Sequence, residues 1–598
     1  MKVPARCELP ESDCWDLTPL YRDENAWEDD FRKLDGILQD FLRWKGHLGD
    51  SPDSLLQALK ASDVLGRLVE KLYTYAHLKH DEDTADHKAS ARFGRIEAKN
   101  AAISGETAWF DPELMQIDEQ KFAQFRNNPI LAFYKRTLDQ LEEERKHTLS
   151  EAEERILGLS SELFGAGERS FSLLNDADLE FPATKEENGR KKIPLTHGSY
   201  RKLMESRDRG TRRITFCNTH NTYGKFRNTF ASMLETTVKA NVLSAKLHHY
   251  PDAMTAALSG ANIPIRVYKA LIEAIHKHLP SYHKYFAYRA ECMGMKKIEM
   301  YDISNTIVTA APEKQYSWQE AVELVKNACK PLGDEYGKVL QRAFDERWID
   351  IRECKGKRSG AYSSGCYDSN PYLLLNYDNT LDGVSTLAHE LGHSLHSYFS
   401  HKTQDYHYAS YPIFAAEIAS TTNELLLHHY LMDHSDDPVF RASLLNNLLD
   451  TIRATMFRQT MFAEFEANIY ARCEADQPLT ADDLSDEYAK LNAMYHGKSV
   501  KQTPGIQYEW ARIPHFHYDF YVYQYATGIA AAVAFSRDIL AGKTEPYLNF
   551  LRAGDSRDVI DIIRDAGVDF STSAPVDAAA ALFDSTLEEL KRCNHCIR

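Results

Sequence analysis

The chain has 598 residues, 43% of them hydrophobic and 11% aromatic, and a formal net charge of −17. That length exceeds what one hydrophobic core supports, so several subdomains are expected within an otherwise ordinary soluble globular composition. The acidic balance excludes nucleic acid and anionic membrane as principal partners, because both select a basic face.

No apolar h-region stands at Met1 to Glu8, and no apolar run approaches the ~20 residues that a bilayer requires. The ten cysteines lack the spacing of a disulfide scaffold and suit a reducing compartment, so a cytoplasmic location is expected. Residues 1 to about 178 read as nearly continuous helix. Apolar residues recur there at three- and four-residue spacing, as in Leu55, Leu56 and Leu59, then Val64, Leu65, Leu68, Val69 and Leu72. Leu179 to Thr196 reads as a small β-hairpin turning at Asn188-Gly189 and closing a helical N-terminal lobe, residues 1–198. A catalytic region, residues 199–598, follows. It opens with the basic cluster Arg207, Arg209, Arg212 and Arg213, read as a structural ion-pair network in preference to an anion site.

Helical pattern continues to His278, Tyr301 to Ala311 reads as a short irregular or strand-like piece, and Ser317 to Arg347 is helical again. Glycines, serines and the apolar run Tyr372 to Tyr377 then predict a small antiparallel sheet, in which Tyr372 to Tyr377 reads equally as a plain buried strand or as an edge strand for an extended peptide, the resemblance given below favouring the edge. The next helix carries His389, Glu390 and His393 in the pattern H-E-x-x-H, with Asp382 near its N-cap. Residues four apart on a helix share one face, so two imidazoles can grip one zinc ion while Glu390 reaches a bound water. The motif alone also fits two histidines at the edge of a core. Gly392 inside the helix would let another element approach closely.

A catalytic zinc site needs a third ligand. His396 is too far along the axis from His389, roughly 10 Å, and the metzincin pattern fails because Phe399 stands where it needs histidine. A second helix starting at Ser410-Tyr411-Pro412 offers Glu417 among small and apolar neighbours, where a carboxylate is costly unless a cation meets it. Glu424 is the fallback ligand, or else an acceptor that orients one histidine. Further on, Pro514 can open a helix that brings His515, Tyr518 and Tyr525 along one face with Tyr521 at its edge. An aromatic core stripe is the plain reading. The many phenols and imidazoles also fit donors to a developing oxyanion. The terminal Cys593-Asn594-His595-Cys596 reads as a reduced, exposed tail.

Taken together, the sequence resembles the thimet oligopeptidase superfamily, and within it the oligoendopeptidase F group. The resemblance is carried by His389 to Ser394, Phe414 to Ser420 and Tyr521 to Gly528. Further matches are Arg347 to Asp350, Gly360 to Ser363 and Ala566 to Asp569. It implies a mainly α, multi-helix, clam-like gluzincin fold with a deep central channel and a small sheet beside the active-site helix. It also implies one Zn²⁺ per chain held by His389, His393 and Glu417, with Glu390 as general base in the hydrolysis of internal bonds of short peptides. Tyr518 and Tyr525 match the spacing of the superfamily's substrate-facing tyrosines. The family's histidine five residues before the first tyrosine is Ile513 here, which leaves His515 and His517 as candidates. Gly554-Asp555-Ser556 departs from the group's usual Gly-Gly-Ser. The competing readings are a zinc carboxypeptidase of related helical fold and a peptide-binding protein without turnover.

Overall fold

In a computed structural model, residues 3–185, 192–308 and 314–593 are described. Helices make up most of them, so the mainly α expectation holds. No helix among the described residues is long and apolar enough to cross a membrane. The chain divides into two compact units, each assembled from separated stretches. The first comprises Met1–Glu151, Lys314–Tyr430 and Phe535–Gly567, and the second Ala152–Glu313, Leu431–Ala534 and Val568–Arg598. The sequence reading instead cuts the chain once, after residue 198.

In the first unit, helices Glu24–Leu42, Pro52–Glu82 and His87–Thr107 pack together. Their three- and four-residue apolar spacing turns Trp27, Leu34, Leu38, Phe41, Leu65 and Leu72 into one core. Ser51 caps the second of these helices by accepting from the Ser54 N–H, and Pro52 occupies its first turn. Tyr372 and Leu374 of a three-stranded sheet close the same core from the other side.

That sheet corrects two expectations. Its order is Ile349–Asp350, Tyr372–Leu374, Tyr362–Ser364. The last two strands pair antiparallel, whereas Ile349–Asp350 lies parallel to Tyr372–Leu374, so the sheet is mixed. The chain runs out along Tyr362–Ser364 and returns along Tyr372–Leu374, which leaves the returning strand pointing the same way as Ile349–Asp350. Tyr372–Leu374 is therefore the central strand, paired on both sides, and the edge beside the H-E-x-x-H helix belongs to Tyr362–Ser364. The buried ammonium of Lys357 fastens the strand ends. It donates to the carbonyls of Asp350, Arg352 and Leu375 and pairs with the Asp350 carboxylate at 2.7 Å.

The second unit is built around the long helix Ile265–Cys292, whose Tyr282 stacks on Phe457 at 4.3 Å. The expected hairpin is present as two short antiparallel strands, Thr184–Lys185 and Lys192–Ile193, and its Asn188-Gly189 turn lies outside the described residues. Arg209 and Arg212 both pair with the buried Asp302 at 2.9 and 2.8 Å, as expected of an ion-pair network. Among the described residues eight cysteines are free, Cys593 among them, but Cys292 is disulfide-bonded, which departs from a wholly reduced set. Cys596 lies outside the described residues.

Candidate functional site

The H-E-x-x-H motif sits in the middle of helix Leu381–Thr403. Thr380 caps this helix by accepting from the Gly383 N–H, so Asp382 belongs to its first turn and is not the cap. Val384, Leu387, Leu391 and Leu395 form its buried face. Helix Ile413–Asp433 packs against it at Gly392. A Cβ at Gly392 would stand 2.6 Å from Ser420 Cα and 2.7 Å from the Ala419 carbonyl oxygen, so only glycine admits the neighbouring backbone. Asn423 locks the same contact: its amide donates to the Ala388 carbonyl at 3.1 Å, and its oxygen accepts from the Tyr336 hydroxyl at 3.0 Å.

This close approach brings the predicted residues together. One ligand atom each from His389, His393 and Glu417 lies within 4.8 Å of the others. His389 Nε2 and His393 Nε2 are 3.2 Å apart, and Glu417 Oε2 is 3.5 and 3.7 Å from them. Behind the cluster, His389 Nδ1 hydrogen-bonds Glu424 Oε1, which directs Nε2 toward Glu417. Glu424 thus takes the orienting position and not that of a third ligand. Ser420 Oγ donates to Glu417 Oε2 at 3.1 Å. The Glu417 side chain is 47% exposed, so burial among apolar neighbours is not what singles it out; its aim at two imidazoles is. Two imidazole nitrogens and one carboxylate oxygen converging from one side match the three-ligand donor set of an open zinc site. The residues fit such an ion.

Electrostatics separate the roles. Burial pushes the Glu390 carboxyl up to about 6, with His389 pulling it down and Glu417 pushing it up. The Ser363 backbone N–H donates to it as well. Burial and the neighbouring His389 lower His393 to about 4, keeping it neutral and able to offer a lone pair. For His389, burial opposes the charged form, but the hydrogen bond and charge of Glu424 outweigh it and raise its pKa. His396 lies outside the cluster: it is buried, stacks on Tyr411 at 3.7 Å, and is lowered to about 3 by desolvation.

The stretch after Pro514 departs from the expected single helix. A short turn, Pro514–His517, is followed by an irregular segment, and regular helix begins only at Tyr523. Asp519 and Phe520 take positive φ angles of 45° and 54°, which break the helix between Tyr518 and Tyr521. Even so, His515 meets the tyrosines. Its Nε2 is 3.3 Å from the Tyr525 hydroxyl, and its ring lies 5.6 and 6.1 Å from Tyr518 and Tyr521. His517 points elsewhere: it is buried, bonds Thr237 Oγ1 at 2.8 Å and packs on Phe171 at 4.6 Å. Tyr518 is 46% exposed. Gly554, at φ +52°, leaves no room for a Cβ, which would stand 2.3 Å from the Tyr408 carbonyl oxygen. Asp555 beside it pairs with Arg136 at 2.9 Å, so the departure from Gly-Gly-Ser serves a structural ion pair.

The sequence reading gave Asn423 no role, and Ser363 entered it only as part of the match Gly360 to Ser363. Asn423 carried a signal, a polar side chain beside Glu424 in an apolar helix. Ser363 acts through its backbone and carried none.

Comparison with known proteins places the chain in a family. The profile of peptidase family M3 matches residues 202–582, and one described as oligopeptidase F matches residues 113–181. Oligopeptidase PepF of Bacillus subtilis is 40% identical over 99% of this chain and 88% of its own length. An oligoendopeptidase F homolog of Lactococcus lactis is 39% identical over 98% of both chains. The crystal structure of oligoendopeptidase-F from Enterococcus faecium superposes with a TM-score of 0.72 at 36% identity, covering 95% of this chain and 99% of that one. The chain belongs to peptidase family M3, as a metallopeptidase homologous to oligoendopeptidase F.

Proposed function

We propose that the protein is a zinc-dependent oligoendopeptidase that hydrolyses internal bonds of short peptides. The observation that carries this reading is the convergence of His389, His393 and Glu417 within 4.8 Å, with Glu390 on the same helix. One Zn²⁺ held by these three residues would supply Lewis acidity, polarising the scissile carbonyl and acidifying water in its open position.

The chain's own residues do the rest. Glu390, half-way to protonation near pH 6 because it is buried, is ionised enough at neutral pH to take a proton from the attacking water. It then delivers that proton to the leaving amine. Glu424 fixes the tautomer and direction of His389, and Ser420 steadies Glu417. Burial lowers the pKa of His515, so it stands neutral beside Tyr525. We assign His515, Tyr518 and Tyr525 as donors to the developing oxyanion, on the strength of their clustering and of the family resemblance.

The unpaired edge of Tyr362–Ser364, whose Ser363 N–H already reaches Glu390, suits backbone pairing with an extended substrate. The clam-like channel that the resemblance implies would confine substrates to short, unfolded peptides. An internally quenched peptide with both ends blocked tests endo-action. Cleavage supports the reading, whereas cleavage only with a free C-terminus would transfer it to a carboxypeptidase.

A further inference from the structure

Two consecutive residues with side chains, Asp519 and Phe520, hold left-handed backbone in the segment that carries the aromatic cluster. Aspartate tolerates that region; a bulky aromatic residue rarely adopts it. No glycine eases the turn, so its surroundings must impose it.

The imposing group is Glu466. It lies on helix Arg458–Glu474 and is completely buried. Its Oε1 accepts the Phe520 backbone N–H at 2.8 Å. One turn along the same helix, Tyr470 packs on the Phe520 ring at 4.5 Å, and Tyr268 meets it at 5.7 Å. Tyr470 and Asn241 also lie against the Asp519 carboxyl and bond each other at 2.8 Å. Glu466 Oε2 has no hydrogen-bond partner among the described residues. A buried carboxyl with a single bond is an expensive way to fill space that a leucine or methionine would fill better. Its one bond falls on the strained residue. Burial also pushes its pKa up to about 8, so it stands there as the neutral acid at pH 7.

We propose that Glu466 is a positioning residue for the aromatic site, its hydrogen bond to the Phe520 N–H locking the left-handed turn that sets Tyr518 and Tyr521 and delivers Tyr525 to His515. This inference rests on the reading of that cluster as substrate-facing. The state it prevents is the one the sequence also allows: a single helix opened by Pro514 and running through Tyr525. Relaxation toward that helix would remove the His515–Tyr525 contact.

The test is steady-state hydrolysis of a blocked quenched peptide, with metal content and thermal midpoint, for the zinc-loaded full chain and its Glu466→Gln, Glu466→Met and Tyr525→Phe variants. Glutamine keeps a neutral acceptor, so Glu466→Gln should stay within about threefold of the parent kcat. Glu466→Met should lose at least about tenfold in kcat at unchanged metal content, with KM moving less than kcat. If Glu466→Met does not fold, Glu466→Asp, one methylene short, withdraws the acceptor and should show the same loss. A folded, metal-replete Met or Asp variant with the parent kcat overturns the proposal, as does a Gln variant as impaired as Met. If Tyr525→Phe is impaired while Glu466→Met is not, only this inference fails. If Tyr525→Phe, Tyr518→Phe and His515→Ala are all silent, the substrate-facing reading falls, and this inference with it.

Discussion

At the cluster around His389, three carboxylates of one chemical type stand in three different surroundings, and the proposed function gives each a different task. Glu417 is half-exposed and points at two imidazoles, Glu424 bonds the far side of His389, and Glu390 is buried with a raised pKa. Removing the group behind a metal-binding histidine typically weakens the metal about 10–100-fold. Glu424→Ala should therefore hold zinc less tightly by that factor in a chelator competition; an unchanged affinity would contradict its orienting role. A second prediction concerns Glu466. Burial, with Asp519 adding to it and the Phe520 N–H opposing it, raises its folded pKa to about 8 from an ordinary value of 4.5. Between those values the native state binds the proton that the unfolded chain has released, so its contribution to stability falls as pH rises from 4.5 toward 8. Glu466→Gln should flatten the fall in thermal midpoint between pH 5 and pH 8; an unaltered slope would show that Glu466 is not the group responsible. The convergence of His389 and His393 was legible in the sequence because a four-residue spacing puts both on one helix face, whereas Glu417 was singled out by apolar neighbours that leave it half-exposed. Glu466 was not legible, since its single partner is a backbone N–H 54 residues away.

The decisive element is the pair of helices Leu381–Thr403 and Ile413–Asp433, drawn together at Gly392. An added methyl there meets backbone atoms, which cannot swing aside. Gly392→Ala should cost about 1–3 kcal/mol of stability by overpacking and should displace Glu417 from the histidines. Thermal unfolding and zinc titration check both parts. A variant with parent stability and parent zinc affinity would show that the close approach is not needed. The sequence indicated both helices and the purpose of the glycine, since proline, capping residues and apolar spacing are local signals. It did not indicate the break at Asp519–Phe520, because Glu466, Tyr470 and Asn241 impose it from elsewhere in the chain. Nor did it order the sheet. The run Tyr372 to Tyr377 reads the same whether its strand is central or at the edge, and only the pairing with Ile349–Asp350 decides.

At the scale of the molecule, His389, His393 and Glu417, which could hold a metal ion, and Glu424 behind them all belong to the first compact unit. A ligand that binds only the folded state stabilises what holds it. Removing the metal should therefore increase hydrogen exchange chiefly in Leu381–Thr403 and in Ile413 to Tyr430, while helix Ile265–Cys292 of the second unit keeps its protection. Uniform loss across both units would contradict a metal site confined to the first. The two-unit organisation was not readable in advance, because each unit gathers three separated stretches and no composition shift marks where the chain crosses. Net charge was readable, and so was the absence of a long apolar helix among the described residues, since both are sums over sequence.

The most direct test compares the zinc-loaded protein with its Glu390→Gln variant on a quenched peptide blocked at both ends, with zinc counted in each. The account predicts cleavage at an internal bond by the parent. It predicts about one zinc per chain in both proteins and a loss of about 10²–10⁴ in kcat for the variant, the share that general acid–base catalysis contributes. A zinc-replete Glu390→Gln protein that cleaves at the parent rate would contradict it.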